Sequence, residues 1–101
     1  MKLDKAMALV LKTVMSHKSE CSLLPEATTE YENCFAFYYQ SKTFIQTNDF
    51  NTQLVGQGPI IVCKKTGEVF ETGSGQSTEH YVAVFDVCGD PNAIQLSLIH
   101  I

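Results

Sequence analysis

The chain has 101 residues, a length that fits one domain. Hydrophobic residues make up 45% of it, enough for one modest core, and that excludes a disordered composition. The formal net charge of −4 argues against a nucleic-acid binder, which would show a basic patch, and suits a basic protein partner.

Residues 3–17 read as an amphipathic helix. Leu3, Met7, Val10, Leu11 and Val14 recur at helical spacing, and Lys2, Lys5, Lys12 and Ser16 fall largely on the other side. Ala6, Ala8 and Leu9 raise helix propensity. Such a helix either covers one face of a sheet, which is the ordinary arrangement, or lies on a membrane surface. Asp4, Lys5 and Lys12 interrupt its apolar positions, so it is no export signal. No run approaches the roughly 18 apolar residues of a membrane span. The expectation is a cytoplasmic monomer that uses no membrane and no nucleic acid.

Residues 18–32 are polar and carry Pro25, with Leu23-Leu24 as a short strand before it. Glu26, Glu30 and Glu32 form a local acidic cluster, which is an ordinary solvated loop or a contact for a basic partner. Cys34-Phe35-Ala36-Phe37-Tyr38-Tyr39 is the strongest strand in the chain. Its alternation puts Phe35, Phe37 and Tyr39 on one face and Cys34, Ala36 and Tyr38 on the other, both apolar. It is expected at the centre of the sheet.

Residues 56–75 read as a β-hairpin. Gly56-Gln57-Gly58-Pro59 leads into the apolar run Ile60-Ile61-Val62-Cys63, as in a strand covered on both faces. Pro59 lacks a backbone donor and suits the first residue of that strand. Lys64-Lys65-Thr66-Gly67 is the turn, with Gly67 able to take φ > 0. Glu68-Val69-Phe70-Glu71-Thr72 returns with clearer alternation, and Gly73-Ser74-Gly75 closes the unit.

This stretch carries a resemblance. Gly-x-Gly-Pro-x-Ile-Val, then Lys-x-Thr-Gly-Glu-Val, Thr-Gly-Ser and Glu-x-Tyr-Val, densest over residues 56–81, resembles the immunity protein 35 domain family. These are small bacterial proteins expected to neutralise polymorphic toxins. The resemblance implies an irregular connection over residues 41–55; the apolar Phe44, Ile45, Phe50, Leu54 and Val55 there leave a short edge strand open. It also implies a helix over residues 77–88, where local composition leaves strand and helix both open. Tyr81, Phe85 and Cys88 have i, i+4, i+7 spacing, but Val82-Ala83-Val84-Phe85 is rich in β-formers. Ser77 or Gln76 caps that helix, Glu79 lies in its first turn, and Gly89-Asp90-Pro91 ends it.

The last six residues, Leu96-Ser97-Leu98-Ile99-His100-Ile101, read as the in-frame translation of a transposase adapter, the alternative being a genuine terminal strand. The expected domain is therefore residues 1–95, with 96–101 a non-native tail.

The fold expected is α+β: an N-terminal helix on a small antiparallel sheet built from residues 34–40, 60–64 and 68–72, with a second short helix near the C-terminus. Little in the chain points to chemistry. Cys21, Cys34, Cys63 and Cys88 lack C-x-x-C spacing and sit in or beside apolar runs, as reduced, buried thiols do. Cys63 or Cys88 with His80 is the one local nucleophile–base candidate, and no signature surrounds it. Neither a zincin pattern nor a phosphate loop occurs, so no metal or cofactor is expected. Two function classes compete: a non-enzymatic immunity protein that occupies a cognate toxin domain, and a small housekeeping or chaperone-like protein. For the first, Glu68, Glu71 and Glu79 are the candidate partner contacts, with strand alternation placing Glu68 and Glu71 on opposite faces.

Overall fold

The structure, a computed structural model, describes residues 1–54 and 56–93. The adapter-like tail and the proposed domain end at residue 95 lie outside the described residues. In chain order the elements are α1 (Leu3–Thr13), β1 (Cys21–Leu23), β2 (Thr29–Glu30), β3 (Cys34–Phe37), β4 (Tyr39–Ser41), α2 (Lys42–Thr47), β5 (Gln57–Cys63), β6 (Val69–Gly73) and α3 (Thr78–Cys88). Short 3-10 turns occupy Met15–His17, Pro25–Ala27 and Phe50–Thr52. The fold is α+β, as expected, with a helix at each end and antiparallel strands between them.

The sheet order is β2-β3-β5-β6, so β3 and β5 are central. Their register pairs Cys34 with Cys63, Phe35 with Val62, Ala36 with Ile61 and Phe37 with Ile60. Every residue of β3 is buried. The alternation sorts them into two cores. Phe35, Phe37, Tyr39, Ile60 and Val62 pack under α1 with Ala6, Val10 and Val14. Cys34, Ala36 and Ile61 pack on the opposite face with Val82 and Phe85 of α3. The molecule is therefore helix, sheet, helix in three layers. Burying each large apolar side chain contributes about 1.5–3 kcal/mol.

α1 meets the sheet through a slightly different stripe from the one expected. Ala6 and Val10 are fully buried, and Met7 and Leu9 flank them. Leu3 and Leu11 remain exposed, Leu11 by 51%. Leu11 falls outside the stripe centred on the fully buried Ala6 and Val10. The helix also ends at Thr13 and tightens into the 3-10 turn at Met15–His17.

The single strand expected over residues 34–40 is divided at Tyr38. Beyond it, β4 leaves the main sheet and pairs antiparallel with β1. The Tyr38 C=O accepts from the Leu24 N–H at 2.8 Å, and its hydroxyl bonds the Thr78 hydroxyl at the start of α3. These contacts hold the bend from both sides.

In the hairpin, Gly67 has φ +79° and its N–H donates to the Cys63 C=O at 2.9 Å, as the turn chemistry requires. β5 begins two residues before Pro59, not at it. The register shifts between Gln57 and Ile60, and this bulge is what admits the proline. A Cβ on Gly58 would lie 1.9 Å from the Gly73 carbonyl oxygen, so only glycine fits there.

Past Ser41, where β4 ends, residues 42–54 hold no further strand, against the edge strand entertained above. They form α2 and the 3-10 turn at Phe50–Thr52. Ser41 caps α2 by accepting from the Phe44 N–H at 3.3 Å, and Asn48 ends it at φ +55°. The buried Gln40 amide holds this excursion to β4. Its Oε1 accepts from the Leu54 N–H at 2.6 Å and its Nε2 donates to the Leu54 C=O at 3.2 Å.

α3 is capped at both ends. Ser77 Oγ accepts from the His80 N–H at 3.1 Å, and Gly89 donates its N–H to the Phe85 C=O at 2.7 Å. Its buried face is Tyr81, Val82, Val84 and Phe85, while Cys88, which the spacing had assigned to that face, is exposed. Among the described residues no helix is long and apolar enough to cross a membrane.

Two substitutions test this account. Gly67→Val should cost more than about 1 kcal/mol, read as a lower urea midpoint, because a β-branched residue is strained at positive φ. Gln40→Ala should cost about 1–3 kcal/mol by removing the bonds to Leu54, with faster amide exchange concentrated in residues 42–54.

Candidate functional site

The three acids singled out from sequence are all exposed, and they do not share one face. Glu68 closes the hairpin loop. Its C=O accepts from the Cys63 N–H at 2.9 Å, and the Thr66 hydroxyl lies 3.3 Å from its carboxylate. Glu71 lies on the edge strand β6 opposite Ile60, hence on the α1 side of the sheet. Its carboxylate is 3.5 Å from Lys18 Nζ. Tyr39 and then Glu71 push the Lys18 ammonium above its ordinary range. Glu79 opens α3 on the other side. Burial first, and then the Glu79 charge, raise the Tyr31 hydroxyl above its usual range, so Glu79 bears on Tyr31.

Charge is unevenly spread between the layers. Residues 1–18 contain Lys2, Lys5, Lys12 and Lys18 against Asp4. Residues 73–93 contain no lysine or arginine, and carry Glu79, Asp86 and Asp90. The outer face of α3 is thus acidic, with exposed Ala83 and Val87 among the charges; Val87 is 75% exposed. Asp86 Oδ1 accepts from Asn33 Nδ2 at 3.2 Å, which ties this face to the loop before β3. An open groove of about 340 Å³ runs beside it, floored by Cys63 and Phe85. A second groove of about 390 Å³ lies on the opposite face, between the end of α1 and Glu71.

Sequence reasoning missed two exposed apolar groups. Phe50 is 78% exposed and rests against Phe44 at 5.8 Å between ring centroids, with Ile45 beside it in sequence and also exposed. Val87 was hidden inside an apolar run. The available signal was the helical wheel, which puts Val87 opposite Phe85 once the buried face is centred on Tyr81, Val82 and Phe85.

Of the thiol–histidine candidates, Cys63 and His80 are each engaged with other groups. Burial raises Cys63, but bonds from the Thr66 hydroxyl and the Thr66 and Lys65 N–H groups bring it below its ordinary value. His80 instead stacks edge-on with Tyr81 at 5.9 Å. No group of three or more His, Cys, Asp or Glu among the described residues could hold a metal ion.

One prediction follows for the ion pair. Lys18 and Glu71 are both substantially exposed, so Lys18→Ala should change stability by under about 1 kcal/mol in thermal melts.

Comparison with known proteins agrees with these elements. The family model described as Immunity protein 35 matches residues 4–84, from α1 into α3. The uncharacterized protein YrhB of Escherichia coli (strain K12) is 28% identical over 51 residues, which is 50% of this chain and 54% of that protein. The match therefore spans about half the length of this curated relative. No solved structure matches. Since the family model covers most of the chain, including nearly all of α1, the hairpin and the first part of α3, the protein belongs to the immunity protein 35 family.

Proposed function

We propose that this protein is an immunity factor that binds a cognate bacterial toxin domain and neutralises it without catalysis. The observation that carries this reading is the family match over residues 4–84. The partner is a protein toxin of a polymorphic toxin system, and the chain acts on it as a monomer in the cytoplasm. Its mechanism is occlusion: a rigid surface covers the toxin's working site, and complementary charge guides the encounter.

The excess of acid over base supports a basic partner surface. Glu68, Glu71 and Glu79 are the proposed contacts. Glu79 stands at the edge of the acidic α3 layer, where no lysine of residues 73–93 offsets it. Glu68 closes the hairpin loop and is exposed there. Glu71 is the most constrained of the three, because it must exchange or share Lys18 to meet a partner. That exposed pair is worth at most about 1 kcal/mol, so the exchange is inexpensive.

Co-expression with the toxin gene encoded beside it tests the reading. Host survival and co-elution on size exclusion are expected. Continued killing with both proteins soluble and no co-elution would overturn it. Single charge reversals, Glu68→Lys and Glu79→Lys, should slow association roughly 2–10-fold and weaken its salt dependence, while dissociation changes less, as measured by surface plasmon resonance.

A further inference from the structure

Cys34 and Cys63 are directly opposite each other on the two central strands. Both are free thiols. Both belong to the apolar cluster on the α3 face, so their side chains leave the sheet on the same side. The hydrogen-bond pattern settles which kind of pair they form. The Cys34 C=O accepts from the Tyr31 N–H at 2.8 Å, on the β2 side. The Cys63 N–H donates to the Glu68 C=O at 2.9 Å, on the β6 side. Each of these groups thus points away from the other strand. The next pair outward, Asn33 and Lys64, is the bonded one, through the Lys64 N–H and the Asn33 C=O at 3.0 Å. Cys34 and Cys63 therefore occupy a non-hydrogen-bonded position, where opposed Cα atoms lie about 4.5 Å apart. That separation falls inside the roughly 4.4–6.8 Å range of disulfides.

Access differs between the two sulfurs. Cys34 is fully buried beneath α3. Cys63 is half-buried and lines the open groove with Asn33, Lys65 and Asp86. Cys63 is thus open to an oxidant in the groove, whereas Cys34 is closed to solvent.

We propose that Cys63 and Cys34 form a peroxide-reactive pair, in which Cys63 is oxidised first and Cys34 resolves it into a cross-strand disulfide. The co-reactant is a hydroperoxide. The Cys63 thiolate attacks the terminal peroxide oxygen, the O–O bond breaks, and an alcohol (or water, from hydrogen peroxide) leaves. Cys63 is now a sulfenic acid. The Cys34 sulfur attacks the Cys63 sulfur, the S–O bond breaks, and the departing hydroxide takes the Cys34 proton to leave as water. Two thiols have lost two electrons and two protons, and the peroxide has been reduced. The environments suit this order. The hydrogen bonds from Thr66 and Lys65 that bring Cys63 below its ordinary value favour its thiolate. Burial first, and then the Asp86 charge, push Cys34 up to about 11, which keeps it a protonated thiol until the neighbouring sulfur is electrophilic.

The test treats the folded protein with hydrogen peroxide, blocks remaining thiols with N-ethylmaleimide under denaturing conditions, and maps the digest by mass spectrometry. The expected product is a peptide pair joined through Cys34 and Cys63, lost on reduction with dithiothreitol. In Cys34→Ala, Cys63 should instead be trapped as a sulfenic acid by dimedone. In Cys63→Ala, Cys34 should stay reduced. Recovery of both cysteines as alkylated thiols after peroxide, or a disulfide joining Cys63 to a different cysteine, overturns the proposal. The wild-type map decides this even if a cysteine variant fails to fold.

Discussion

β3 and β5 expose apolar side chains on both faces, and no arrangement of a lone sheet can keep both away from water. Phe35, Phe37, Ile60 and Val62 need cover on one side; Cys34, Ala36 and Ile61 need it on the other. The chain meets this demand with its two ends. α1 precedes the strands and α3 follows them, so each terminal helix folds back on a different face of the same pair. The rest of the architecture is subordinate to that requirement. β2 and β6 extend the pair to four strands, and the hairpin loop with Gly67 joins β5 to β6.

The bend at Tyr38 has the largest consequence for the surface. It releases β4 from the main sheet to pair with β1, and the chain then makes an excursion through α2 before returning as β5. Such a connection is stable only if its backbone polar groups are satisfied. Gln40 supplies that by bonding both backbone groups of Leu54, and Ser41 and Asn48 supply the helix ends. The outcome is a short excursion, tied to β4, that leaves Phe50 exposed.

Sorting the layers also sorts the charge. Lysines gather before and along α1, and acids without lysines occupy the region of α3. A net charge of −4 is therefore an average over two unlike faces. For an immunity-family protein this matters, since encounter with a basic partner depends on the local potential and less on the total.

Much of this was legible from residues alone. The aromatic strand over residues 34–39, its two apolar faces, the Gly67 turn, the return strand, the Ser77 cap and the Gly89 stop are local decisions, made by alternation, φ preference and capping within a few residues. The family was legible too, because its motif falls on that hairpin. Other features needed the assembled molecule. The break at Tyr38 depends on Leu24 and Thr78, far away in the chain. The buried stripe of α1 is centred on Ala6 and Val10 by its packing on the sheet, which left Leu11 outside despite its spacing. Helix α2 lay unread because six residues of mixed polarity carry too weak a period, and its anchor, Gln40, acts across fourteen positions. The separation of Glu71 from Glu79 by the whole sheet, and the meeting of Cys34 with Cys63, follow from strand order and register. β3 and β5 are joined by no tight turn that would fix their register locally, so their pairing is decided between segments distant in the chain.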